Sequence, residues 1–148
     1  MKNLTKIKGV KINFVEFDTT KNWIDEFPNK DWSVVIFADV LNRNYFDEII
    51  RKVIDRNVLW ISSVGKQQDL IHDMSDDEIL IRDIENGYLP NHDIMTIGVT
   101  DLIDGLFSGI FLPIQSEENI QEIVIIDVEK LNYNKIISAI EKLQKEYT

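Results

Sequence analysis

Asp39, Asp101 and Asp127 each stand at or just after the end of an apolar run, in Phe37-Ala38-Asp39, Val99-Thr100-Asp101 and Ile126-Asp127. If the runs are parallel strands, the three carboxylates fall along one rim of a sheet. Oxygen ligands converging in this way suit Mg²⁺, a hard cation, and would make a metal site at that rim. The same placement suits helix capping, because an Asp following a strand accepts a backbone N–H at the start of the next helix and faces its dipole. Capping is the weightier reading, since aligned aspartates arise in any sheet of this kind.

Ser63 and His72 are the candidates for catalysis. Ser62, Ser63 and Gly65 close the third apolar run, and a turn with glycine and hydroxyls ahead of a helix can receive an anion on its N–H groups. An ordinary strand-to-helix turn has the same composition. Neither G-x-G-x-x-G nor G-x-x-x-x-G-K-[ST] is present, and Lys66 stands without the rest of a phosphate loop. There is no G-x-S-x-G elbow. A nucleophile, base and orienter can be drawn from Ser63, His72 and Asp101, although nothing in their spacing fixes the distances. His92 is the one other histidine, and the two form no H-x-x-x-H pair. With no cysteine in the chain, thiol catalysis, Cys-ligated metals and disulfides are excluded.

Charge is the strongest anomaly. The 148 residues carry a net charge of −10. Between positions 69 and 85 stand Asp69, Asp73, Asp76, Asp77, Glu78, Asp83 and Glu85 against Arg82 alone, while the first fifteen residues hold Lys2, Lys6, Lys8 and Lys11 and no acid. Such a surface repels phosphate backbones and anionic lipid, so no nucleic acid and no membrane is expected as a partner. An acidic helix face steers a basic protein toward it; it also serves simply to keep a small protein soluble. There is no signal-peptide core, and no uncharged apolar run approaches the ~18 residues of a spanning helix, so the expected location is the cytoplasm.

The elements that must position these residues follow from periodicity. Runs at 11–17, 32–38, 58–64, 94–99 and 122–128 read as strands. Three are nearly continuous in Val, Ile, Leu, Phe or Trp, as strands covered on both faces are. The first alternates and is expected at an edge. Phe46, Ile49, Ile50, Val53 and Ile54 give one helical stripe, with Asn44 as its cap and Asn57 at its end; Ile136, Ile137, Ile140, Leu143 and Tyr147 give another. Ser75-Asp76-Asp77-Glu78 has the form of a capping box, which starts a helix there that Gly87 and Pro90 stop. Leu102 to Phe111 forms an apolar helix ended by Pro113. Its Gly105 and Gly109, four apart, imply close approach of other backbone, by packing onto the sheet or in a homodimer.

Strands alternating with helices imply right-handed βαβ units. The expected fold is one α/β domain spanning 1–148, a three-layer sandwich with a four- or five-stranded, mainly parallel sheet of flavodoxin-like or Rossmann-like type.

Residues 60–113 resemble an uncharacterised bacterial family of small α/β domains without assigned activity. The similarity rests on the aromatic strand leading into Gly65, on His72-Asp73, on Asp93-Ile94-Met95-Thr96, and on the acid-started helix ending near Pro113. It implies the fold and no reaction. The leading expectation is therefore a non-catalytic protein-binding module, a neutraliser of a basic partner in the manner of immunity or antitoxin proteins. Binding is assigned to Asp39, Gly65, Asp73, Asp76, Asp77, Asp101 and Asp127. The alternative is a small Mg²⁺-dependent enzyme or ligand-binding domain built on the rim carboxylates.

Overall fold

The computed structural model describes residues 1–147. In chain order it contains β1 (Lys2–Ile7), β2 (Val10–Glu16), a 3₁₀ turn (Trp23–Glu26), β3 (Trp32–Phe37), α1 (Arg43–Asp55), β4 (Trp60–Val64), α2 (Gln68–Ile84), β5 (Met95–Val99), α3 (Leu102–Gln115), β6 (Glu122–Asp127) and α4 (Tyr133–Tyr147). The six strands form one sheet in the order β1-β2-β6-β3-β4-β5. Every neighbouring pair from β2 to β5 is parallel, and β1 alone runs antiparallel. Six strands stand where four or five were expected, and the additional one is β1. It is joined to β2 by Lys8 and Gly9, both at positive φ (51° and 83°), the backbone of a tight type I′ hairpin turn. The alternating run expected at the edge is therefore an inner strand, and the lysine-rich β1 takes the edge.

Strand side chains alternate between two layers. Val34, Ile36, Ile61, Val124 and Ile126 pack with α1, α2 and the 3₁₀ turn. Val35, Phe37, Val64, Ile123 and Ile125 pack with α3 and α4. The molecule is thus a three-layer α/β sandwich. The chain moves from β3 through β5 with helices on one layer, then crosses back through α3 to β6 on the other. Connections diverge at the carboxyl ends of β3 and β6, the place where open α/β sheets form a crevice.

The local rules hold with three adjustments. Asn42 rather than Asn44 caps α1, its side chain accepting from Tyr45 N at 3.1 Å. Asn57 does end that helix, at φ 64°. Helix α2 starts at Gln68, seven residues before the capping-box sequence; Ser75 is buried in mid-helix and donates to the Ile71 carbonyl one turn back at 2.8 Å. Asp101 caps α3, which runs on past Pro113 to Gln115. Gly105 and Gly109 face the sheet. A Cβ at Gly105 would come within 2.4 Å of Val64 Cγ1, and one at Gly109 within 2.7 Å of Val35 Cγ2. That glycine face is filled by the chain's own strands, so the homodimer contact drawn through it has no free surface.

Candidate functional site

The structure brings the rim aspartates to the carboxyl ends of β3, β5 and β6, and each is engaged by nearby backbone. Asp101 Oδ2 accepts from Asp104 N at 2.9 Å, the N-cap bond of α3. Asp127 is fully buried, and its two oxygens accept from Asn132 N (2.8 Å) and Asn132 Nδ2 (2.9 Å), shaping the turn into α4. Asp39 Oδ1 accepts from Lys66 N at 2.9 Å. Among the described residues no group of three or more His, Asp or Glu side chains gathers as a metal-binding set. Of the three, Asp101 alone caps a helix; Asp127 braces the turn into α4, and Asp39 ties the loop after β3 to the loop after β4.

Gly65 also has a local role. Its φ is +103°, and a Cβ would lie 2.5 Å from the Ala38 carbonyl oxygen and 2.9 Å from Asp39 Oδ1. Glycine is needed here because the loops after β3 and β4 touch. Its N–H donates to the Val99 carbonyl at 3.2 Å and is not held open for an anion.

The serine–histidine–aspartate arrangement does not form. Ser63 is buried, and its Oγ has no hydrogen-bond partner among the described residues. His72 sits on α2 at the edge of the sheet, where Nε2 lies 3.2 Å from Thr96 Oγ1. That hydroxyl donates to Asp76 Oδ1 at 2.6 Å. Thr96 thus links His72 to Asp76, and no hydrogen bond joins His72 to Ser63. Asp101 is occupied in capping α3. Thr96 was not legible as a partner, because only the pairing of β5 beside β4 brings it under α2.

The remaining assigned residues share one surface. Asp69, Asp73, Asp76 and Asp83 follow one another along α2 at helical spacing and are exposed, as are Asp77 and Leu80. Gln68 and His72, one step around the helix, press onto Gly98 of β5. The acidic stripe therefore runs beside the free edge of the sheet. Exposed apolar side chains accompany it on α2: Leu80 (56%) and Ile84 (70%). Between α2 and the loop leading into β5 lies a groove of about 620 Å³, walled by Ile79, Leu80, Leu89 and Ile94 and rimmed by Asp76 and Asp83.

A family model described as Domain of unknown function (DUF7684) matches residues 12–145. The chain belongs to that family. Comparison with curated proteins gave no match, and comparison with solved structures gave none either. The match covers β2 to α4, and so takes in the parallel part of the sheet and the acidic edge of this DUF7684 domain.

Two further features were missed in the sequence. Glu129, just beyond β6, turns its carboxylate back onto the end of β3, where Oε1 accepts from Asp39 N at 2.6 Å and Val40 N at 3.1 Å. The amides at the carboxyl end of β3 are thereby occupied from within. Burial raises the Glu129 pKa above its ordinary value; the two amides oppose the rise, and Asp127 and Asp39 add to it. Nothing in Val128-Glu129-Lys130 signals this, since it depends on β6 inserting beside β3. The second feature is a cleft of about 800 Å³ at the carboxyl end of β2, lined by Phe14, Trp23 and Tyr133 and by charged side chains of both signs, among them Lys2, Lys130, Asp18 and Glu26. Lys130 Nζ lies 3.6 Å from Asp18, and Lys2 Nζ donates to Tyr133 Oη at 2.5 Å. Among the described residues, no helix is long and apolar enough to cross a membrane.

Proposed function

We propose that this DUF7684 domain is a non-catalytic module that binds a basic protein through the outer face of α2 and the adjoining edge of β5. The observation that carries the reading is the interleaving, on the exposed face of α2, of the Asp69-Asp73-Asp76-Asp83 stripe with Leu80 and Ile84. Exposed apolar side chains rimmed by polar ones mark interaction surfaces. The concentration of acid adds steering toward a cation-rich partner.

Capture of partners from the organism of origin tests it, comparing the native chain with a variant carrying Asp69→Lys, Asp73→Lys and Asp76→Lys. The native chain should retain a basic protein at low salt and release it as salt shortens the Debye length from ~30 Å at 0.01 M to ~8 Å at 0.15 M. The charge-reversed chain should retain none. Equal retention by both chains would reject the reading.

A second reading is favoured by the cleft at the carboxyl end of β2, whose size suits a small molecule. In that reading the chain is a ligand-binding domain, with Trp23 and Tyr133 as its walls. Ligand addition should then raise the melting temperature of the native chain and not that of Tyr133→Ala. Equal shifts in the two chains would count against the cleft.

A further inference from the structure

The two edges of the sheet are built differently. Edge strand β1 carries Lys2 and Lys6, and its pairing with β2 is interrupted by a register shift between Asn3 and Thr5. Lysines and irregularities are the devices that keep an edge from recruiting another strand. Edge strand β5 reads Met-Thr-Ile-Gly-Val, with no charge, no proline and unbroken register against β4. Among the described residues no strand lies beyond it.

The open side of β5 also has a defined set of backbone groups. Met95 N donates to the Leu59 carbonyl, and the Val99 carbonyl accepts from Gly65 N, so alternate residues 95, 97 and 99 address β4. Thr96 and Gly98 consequently turn their N–H and C=O groups outward. A strand laid there would pass beside the Asp69, Asp73 and Asp76 carboxylates, and near the start of β5 it would meet the groove between Ile79, Leu80, Leu89 and Ile94. Because side chains alternate along a strand, every second one would lie on the α2 side, within reach of that acid stripe.

We infer that the basic partner enters as an extended lysine- or arginine-bearing segment that pairs with β5 as a seventh strand and seats one apolar side chain in the groove. Backbone pairing would supply the attachment, and the charges and the groove would supply the choice of sequence. This inference rests on the protein-binding reading and specifies its mode.

Three synthetic peptides of equal charge test it. One alternates lysine and valine over about eight residues, a usual strand length, with leucine in place of one terminal lysine so that an apolar side chain also faces α2. The second has the same sequence with N-methyl groups on alternate amides, and the third is a helix-forming alanine–lysine peptide. The first should bind in fluorescence anisotropy and slow amide hydrogen exchange at Thr96 and Gly98. N-methylation should weaken binding about tenfold or more, the loss of a few hydrogen bonds at ~0.5–1.5 kcal/mol each. If the helical or N-methylated peptide binds as well as the first, or if none binds, strand addition is overturned. The charge-reversed α2 variant separates the two claims. Should it abolish binding while N-methylation has no effect, the binding surface stands and the strand mode falls. Unchanged binding by the reversed variant would remove the surface itself.

Discussion

The carboxylate of Glu129 lies 2.6 Å from the amide nitrogen of Asp39, so a side chain from the end of β6 closes the backbone of the loop after β3. Two observations pull the site in opposite directions. The amides of Asp39 and Val40 favour an acceptor there, while burial and the nearby Asp127 and Asp39 disfavour a charge. Glu129→Gln keeps an acceptor oxygen and removes the charge. It should be as stable as the native chain at neutral pH, or more so. Glu129→Ala leaves two amides without their partner and should lose about 1–3 kcal/mol. Urea unfolding of both variants gives the comparison, and a Gln variant weaker than the Ala variant would contradict it.

The same residue sets a pH dependence. A carboxyl whose folded pKa is raised contributes stability that is complete below its unfolded value, 4.5, and is lost as pH rises through the folded value. Stability should therefore increase as pH falls from neutral through the folded pKa of Glu129. Glu48 opposes this at lower pH. Burial pushes its pKa up, but hydrogen bonds from Thr19 and Trp23 and the charge of Lys52 outweigh burial and hold it below 4.5. Its contribution is present above 4.5 and disappears as pH falls through the lowered value. A melting-temperature profile should show a maximum on the acid side of neutrality, and Glu129→Gln should flatten its neutral flank. An unchanged flank would show that Glu129 does not govern it.

Much of this architecture is visible in the residues themselves. Continuous runs such as Val34-Val35-Ile36-Phe37 can only be covered on both faces, and the Phe46-to-Ile54 stripe can only be a helix with one buried side. Strand β1 was hidden because its six residues include two lysines and bury only Ile7, leaving almost no apolar signal. The mid-helix Ser75 reads as a cap because a local motif cannot report that Gln68 to Met74 already form a helix. Among the assigned residues, the exposed aspartates of α2 share a face because that face follows from helical spacing. The relation of Glu129 to Asp39, and that of Thr96 to His72, depend on strand order, which periodicity does not encode.

Ser63 tests the cost of a buried hydroxyl in a central strand. Its hydroxyl is buried without a protein partner, so the folded state carries a desolvated polar group that water would otherwise satisfy. Ser63→Ala removes that group and leaves little space behind. The variant should unfold at equal or higher urea concentration, with a gain of up to about 1–3 kcal/mol. A loss of more than that range in the opposite direction would reveal an unseen partner for the hydroxyl.

Gly109 tests the packing of α3 against the sheet. An alanine there gains up to ~1 kcal/mol of helix propensity, but its Cβ would meet Val35 Cγ2 at 2.7 Å and Ser62 Cβ at 3.1 Å. Both neighbours belong to central strands, and Val35 is completely buried, so neither can move away cheaply. Overpacking should dominate, with a net loss of roughly 1–3 kcal/mol in Gly109→Ala. Val35→Ala alone should also destabilise, by opening a cavity. Combined, the two changes should cost less than their sum, because the new methyl enters the space the valine vacates. Urea unfolding of the three variants measures the coupling, and light scattering of each should return the mass of the native chain. A mass that halves in Gly109→Ala would instead place a second protomer against this helix, in conflict with the contacts to Val35 and Ser62.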